Sequence, residues 1–186
     1  MTATIYAQTP PTYSLTVSPT TISFCSAGTP LTYPNGLCTY GNLPNSGPVT
    51  DGVTITNTGT AGDIDVNGAN AVPSDGVTAD DWTLCNGTSA SDDPSAVNCP
   101  GADNGNPGHP GSNQYALDTE ANISGGTVPY PLSDSPTCDV AFSGLETCAA
   151  TSEQSQEEAL FLEGPSSTTD TSATFTTTIT WTAGPS

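Results

Sequence analysis

Six cysteines, one histidine and 19 carboxylates are the residues of this chain whose chemistry is worth weighing first. The cysteines fall at 25, 38, 85, 99, 138 and 148. No two stand in the C-x-x-C spacing of zinc or thioredoxin-type sites, and the lone His109 cannot complete a Cys/His metal set. Proximity suggests three local disulfides instead, Cys25–Cys38, Cys85–Cys99 and Cys138–Cys148. Each would close a loop of roughly a dozen residues and constrain the unfolded chain by about 3 kcal/mol. The alternative is a set of buried free thiols, since cysteine is a common core residue. Disulfides place the chain outside the reducing cytosol, at the cell surface or beyond it.

Catalytic arrangements are harder to build. A Ser-His-Asp or Cys-His triad needs a histidine positioned by a carboxylate. His109 sits between Gly108 and Pro110 in a Pro/Gly loop, a poor place to hold a base rigidly. A carboxylate pair for glycoside hydrolysis needs two defined partners, and nothing singles out two of the 19. The sequence therefore reads as a chain that is not an enzyme.

Metal binding has one local motif. Asp63-Ile64-Asp65-Val66-Asn67-Gly68 satisfies the first half of the EF-hand loop, D-x-D-x-N-G. The twelfth loop position is Ser74 instead of Glu, Asp75 comes one place late, and no flanking helices are apparent. The same residues fit an alternating strand with Ile64 and Val66 inward and the carboxylates outward. Ca²⁺ held by Asp63, Asp65 and Asn67 is one reading and the strand is the other. Asp80-Asp81, Asp92-Asp93 and Asp103 lie in loops, where each carboxylate needs water, a backbone donor or an inorganic cation. Calcium or sodium at subunit contacts follows as a hypothesis, and no other cofactor is called for.

The elements that must position these groups come from a composition with Lys+Arg 0 and a formal net charge of −19 over 186 residues. Such a chain cannot neutralise phosphate, which excludes nucleic-acid binding. It has no Walker lysine, arginine finger or Schiff-base lysine. An anionic membrane surface would repel it, and no apolar run is long enough to span a bilayer. Hydrophobic residues make up 33% and charged residues 10%, so uncharged polar residues fill the chain. Low hydrophobicity with high charge is the usual mark of disorder. Here, however, the carboxylates are dispersed singly or in pairs between regularly alternating runs.

Those runs read as strands from end to end. Tyr13, Leu15 and Val17 alternate with serines and threonine before Pro19. Ile22 and Phe24 follow, then Val53 to Thr58, and Ile64 and Val66. Shorter runs are Trp82-Thr83-Leu84, Tyr115-Ala116-Leu117, Val128-Pro129-Tyr130, Val140-Ala141-Phe142 and Leu160-Phe161-Leu162. The longest predicted strand puts Ala173, Phe175, Thr177, Ile179 and Trp181 on one face and threonines on the other. One helical turn is predicted over Ser152–Glu158, a stretch of fair helix formers. Asn86 to Asn113 is the longest irregular segment. Roughly nine or ten short strands between Gly/Pro/Asn/Asp turns predict an all-β, antiparallel sandwich. The aromatic residues Trp82, Trp181, Tyr6, Tyr33, Tyr40, Tyr115 and Tyr130 could make a sugar-stacking platform, but at strand positions Trp82 and Trp181 read as core.

Leu15-Thr16-Val17-Ser18-Pro19-Thr20-Thr21-Ile22-Ser23-Phe24, followed by Val53-Thr54-Ile55-Thr56-Asn57-Thr58-Gly59-Thr60, resembles the opening strands of immunoglobulin-like domains of bacterial and archaeal surface proteins. Asp81-Trp82-Thr83-Leu84-Cys85 and the Thr-rich strand from Ala173 to Ala183 look similar too. The likeness covers both ends, and the Cys-bearing insertions at 25–48 and 86–112 depart from it. Strand and turn grammar of this kind recurs in adhesins, sheath proteins and filament subunits alike. The resemblance implies an immunoglobulin-like β-sandwich with long disulfide-tied loops.

Two further features bear on function. Asn86-Gly87-Thr88 and Asn122-Ile123-Ser124 meet the glycosylation rule in turn-rich stretches, so Asn86 and Asn122 are candidate glycan sites. No basic n-region or apolar h-region follows Met1, which for a secreted chain places the numbering at or near the mature terminus. Thr2, Ala3, Thr4, Ile5, Tyr6, Ala7 and Gln8 form a short alternating strand cut from the body by Pro10-Pro11. An isolated strand must pair with a sheet. It either folds back as an ordinary edge strand or completes the sheet of a neighbouring copy, with Pro10-Pro11 as a stiff spacer. Residues 1–11 are accordingly read as a donor strand and 12–186 as the sandwich domain. The expected function is a structural subunit of an extracellular, pilus-like filament whose partner is itself. The alternative is a surface adhesin or carbohydrate-binding module, for which surface glycans would be the partner.

Overall fold

The structure, a computed structural model, describes residues 12–25, 31–34, 36–42, 49–85, 109–123, 126–131, 137–138 and 149–185, with the side chains of 120–149 outside that description. Thirteen strands run through these residues: β1 (Leu15–Ser18), β2 (Leu37–Tyr40), β3 (Val53–Asn57), β4 (Gly62–Gly68), β5 (Val72–Pro73), β6 (Thr83–Leu84), β7 (Gln114–Ile123), β8 (Gly126–Pro131), β9 (Thr137–Cys138), β10 (Ala149–Ala150), β11 (Ser155–Glu163), β12 (Phe175–Thr176) and β13 (Ile179–Gly184). The one helical element among them is a single 3-10 turn at Thr78–Asp80. The chain is all-β, as its patterning predicts.

A seven-stranded sheet takes the order β1-β3-β11-β7-β6, with β2 also on β11 and β8 also on β7. A four-stranded sheet takes the order β10-β4-β13, with β9 also on β4, and β12 and β5 form a small ribbon. Every pairing is antiparallel except β6 with β7. The period-2 pattern is cleanest in β3 and β4. Val53 and Ile55 are buried while Thr54 and Thr56 are half-exposed, and in β4 Ile64 and Val66 are fully buried between half-exposed Asp63, Asp65 and Asn67. β-Branched side chains on both strands suit a pleated surface with one wet face.

The helical turn expected at Ser152–Glu158 is not formed. Ser152 and Glu153 make a turn, and from Ser155 the chain runs as β11 to Glu163. Residues Ser155 to Glu158 register against β3, Leu160 to Glu163 against β2, and Ala159 to Glu163 against β7. Helix propensity is worth a few tenths of a kcal/mol per residue, and pairing on both sides overrides it. The long closing strand is likewise divided. Phe175-Thr176 pairs with β5, Thr177 and Thr178 lie outside any ladder, and Ile179 to Gly184 pairs with β4. The inward alternation nevertheless persists from Ala173 to Thr182, because one row of side chains meets the core throughout. Ile22 and Phe24 form no strand but still pack against the buried clusters.

Both large sheets contribute to that core. Val53, Ile55 and Leu160 meet Ile64 and Ala150 in one cluster, and Leu84, Tyr115, Leu117 and Leu162 meet Val66, Ala71 and Trp82 in the other. A buried amide fixes the turns at one end. Asn57 donates through Nδ2 to the carbonyls of Thr60 and Thr151, each at 3.1 Å, and its Oδ1 accepts from Gly59 N at 3.0 Å. One side chain thus ties the β3–β4 turn to the β10–β11 turn. Gly62 begins β4 where any Cβ would strike the Gly184 carbonyl and the Tyr13 ring, so only glycine permits this approach.

Leu160 is 0% exposed on the central strand. Leu160→Ala is expected to cost about 2–5 kcal/mol in urea denaturation, the usual range for a core leucine. A cost below about 1 kcal/mol would show that this cluster is not what joins the sheets.

Candidate functional site

Cysteine placement comes first. Cys25 and Cys38 are disulfide-bonded with Cα atoms 5.3 Å apart, as expected, and the bond ties the stretch after β1 to β2. Cys85 is also disulfide-bonded, and its partner lies outside the described residues. Cys99 and Cys148 lie outside those residues, and Cys138 is described only by its backbone in β9, opposite Asp65. Of the sequons, Asn86 is outside the description. Asn122 stands in β7 opposite Thr127, near the end of the β7–β8 hairpin, in a strand where a turn is predicted. Thr2, Ala3, Thr4, Ile5, Tyr6, Ala7 and Gln8 also lie outside the described residues.

The two readings of Asp63, Asp65 and Asn67 part here. They occupy alternate positions of β4, opposite Gly184, Thr182 and Thr180 of β13, so the segment is a paired strand and not a loop. A different set converges. One carboxylate oxygen each from Asp75, Asp80 and Asp170 lies within 4.8 Å of the others. Each is fixed by local donors. Asp75 Oδ1 accepts from Val77 N at 3.0 Å, and Asp80 Oδ1 accepts from the Thr169 hydroxyl. Asp170 Oδ1 accepts from Ser172 N at 2.7 Å, Ser172 Oγ at 2.8 Å and Ala173 N at 3.1 Å. The Ser172 backbone N–H, then its hydroxyl, hold the Asp170 carboxyl below the ordinary 3.8. Three such oxygens are the donor type a hard cation takes. Asp80 is legible as a loop carboxylate in the sequence. Asp170 is not, since its partners lie about ninety residues upstream and no spacing rule reaches that far.

His109 is held more firmly than its loop predicts. Its Nδ1 lies 2.6 Å from Glu163 Oε1 at the end of β11, where Glu163 is only 2% exposed. Pro110 and Gly111 beside it are buried, and Ser166 N donates to the Pro110 and Gly111 carbonyls. The loop is anchored because β11 and the stretch after it supply partners that composition alone does not reveal. Glu163 is the one hydrogen-bond partner of His109 among the described residues, and neither a hydroxyl nor a thiol there reaches the ring.

The aromatic residues gather inward. Trp82 stacks on Phe175 with centroids 3.9 Å apart and an interplanar angle of 20°, and its Nε1 donates to Thr168 Oγ1 at 3.0 Å. Tyr115 is fully buried, hydrogen-bonds the Ala69 carbonyl and lies 2.7 Å from Thr177 Oγ1. Burial pushes its phenol up to about 12, the Thr177 contact opposing this only in part. Tyr33, at 40% exposure, is the aromatic ring most open to solvent among the described residues.

The sheet edges complete the inventory. β1 pairs only with β3, and β13 pairs only with β4, among the described residues. The two strands approach one another on one flank, and the inward side chains along them (Leu15, Val17, Ile179, Trp181 and Ala183) are half-buried against the core. Just beyond β1, Thr58 N donates to Ser14 O and Thr60 N to Thr12 O, at 3.0 and 2.8 Å. Thr12, Ser14, Thr58, Thr60 and Ser152 line an open groove of about 500 Å³ there. This is the point from which residues 1–11 depart.

Two pH effects follow. Asp170 is more acidic folded than unfolded, so its contribution is complete above pH 3.8 and is lost as pH falls through its depressed value. Asp170→Ala should melt lower than the parent at neutral pH, with the gap closing well below pH 3.8. Tyr115 is less acidic folded than unfolded, so its contribution is complete below pH 10 and is lost as pH rises through about 12. Tyr115→Phe should cost about 1–2 kcal/mol at neutral pH, and denaturation curves between pH 10 and about 12 should fall less steeply than the parent's.

No protein family, no curated protein and no solved structure matches this chain.

Proposed function

We propose that this chain is a structural subunit of an extracellular filament, an immunoglobulin-like β-sandwich joined to its neighbours by donor-strand exchange through residues 1–11. The half-buried apolar row between β1 and β13 carries this reading. Val53, Ile55, Ile64 and Leu160 are at most 2% exposed, whereas Leu15, Val17, Ile179, Trp181 and Ala183 along this flank are half-buried. An edge that keeps apolar side chains near water is an invitation to strand addition unless something blunts it. A strand laid along a free edge satisfies backbone groups through main-chain bonds and covers apolar area worth about 25 cal/mol per Å². Heterologous contacts of that type repeat head to tail and grow open filaments.

The other observations are in keeping. The Cys25–Cys38 disulfide belongs outside a reducing compartment. No helix among the described residues is long and apolar enough to cross a membrane. The subunit works without catalysis, its partner being another copy of itself, and Asn86 and Asn122 are where glycans would be carried.

Deleting residues 1–11 tests the reading. The truncated chain should keep its far-UV circular dichroism and run as a single species in sedimentation, while the full chain forms polymers visible by electron microscopy. Filaments from the truncated chain, or single copies from the full one, would overturn it.

A further inference from the structure

We infer that β13 is the edge that accepts the N-terminal strand of the next copy. This assignment rests on the donor-strand reading above and names the surface it uses. Four observations carry it.

The first is availability. β13 registers six residues against β4 and has no second ladder among the described residues. Natural edge strands are usually shortened, bulged, or fitted with charges or proline. β13, Ile179-Thr180-Trp181-Thr182-Ala183-Gly184, has none of these within its length and is longer than the four residues of β1.

The second is an unmet polar group. The Trp181 side chain is half-buried, yet its Nε1 is enclosed and has no hydrogen-bond partner among the described residues. A buried indole N–H normally finds an acceptor. A main-chain carbonyl of an incoming strand, met by a turn of the indole, would supply one.

The third is charge. All 19 carboxylates lie between Asp51 and Asp170, so residues 1–50 and 171–186 carry none. Two copies that each bear −19 repel one another. An uncharged donor meeting an uncharged acceptor is the contact at which that repulsion is least. Thr2–Gln8 and Ile179–Gly184 are both uncharged and nearly equal in length. Alternation on the donor would set Ala3, Ile5 and Ala7 toward the apolar row and leave its threonines to solvent.

The fourth is where the chain leaves the body. Thr12 is bonded to Thr60, and Gly184 meets Gly62 beside Tyr13, so the departure point of residues 1–11 and the end of β13 share one end of the molecule. Reaching its own β13 would require residues 1–8 to reverse direction at Pro10-Pro11. Two prolines favour extension, which directs the segment away to a second copy.

The test uses the full chain with a benzophenone-bearing residue in place of Thr4, as an equimolar mixture of light and heavy isotope-labelled copies under polymerising conditions. Cross-linked peptides, released by cleavage at acidic residues, are expected to join residue 4 of one copy to 179–184 of another. Intermolecular cross-links to Leu15–Ser18 or elsewhere would overturn the β13 assignment and leave the filament reading intact. Cross-links confined to single chains would overturn the filament reading itself. Thr180→Asp, exposed and opposite Asn67, places a charge on the edge. Mixed with the parent, it should still donate its own strand, which shows that it folds, while its yield as acceptor drops roughly tenfold, the factor set by about 1.4 kcal/mol. Equal yields as acceptor would sink the proposal.

Discussion

Nineteen carboxylates fold in this chain without one lysine or arginine side chain. Ion pairing with lysine or arginine, the usual answer to a partly buried carboxylate, is closed to all of them, and among the described residues Glu163 alone faces a basic ring, His109. Every other acidic side chain must rely on neutral donors, water or an inorganic cation. The structure meets this with short-range geometry. Asp170 gathers two backbone N–H groups and a serine hydroxyl, Asp75 takes the N–H two residues on, and Glu157 accepts from Gly52 N at 2.8 Å across the β3–β11 boundary. Serine and threonine are abundant because they are the uncharged donors left to a chain built this way, and they suit the wet face of a strand at no electrostatic cost.

The same constraint shapes where surfaces can meet. Charge is confined to the middle of the sequence, and the topology brings its two uncharged ends, β1 and β13, to the same flank of the core. The rest of the molecule repels its own kind. Apolar burial is graded in the same direction, complete around Ile55 and Ile64 and partial around Leu15 and Trp181.

Much of the strand pattern is legible before any coordinates are seen. β1, β3 and β4 alternate so regularly that their inward residues can be named from the sequence, and the Cys25–Cys38 bond follows from proximity. What escapes is set by distant partners. The first half of β11 looks helical because Ser155-Gln156-Glu157-Glu158 has weak local β preference, and pairing with β3 makes it a strand continuous with the predicted run Leu160-Phe161-Leu162. The break at Thr177-Thr178 is invisible for the opposite reason, since both halves have ideal alternation and the change of partner leaves no mark on it. The convergence of Asp75, Asp80 and Asp170 and the pairing of His109 with Glu163 are likewise products of topology. Residues far apart in the chain carry no shared signature unless a local motif obliges them to.

The position of β11 sets the order in which the molecule can be finished. It binds β3, β2 and β7, whose residues precede it by about 40 to 125 positions, and Asn57 must await Thr151 to complete its amide contacts. Among the described residues, a polypeptide emerging from its amino end exposes β2 without any ladder, and β3 with only β1, until β11 appears. Contacts so remote in sequence close slowly. Nearly all of these 186 residues must be synthesised before the larger sheet can lock.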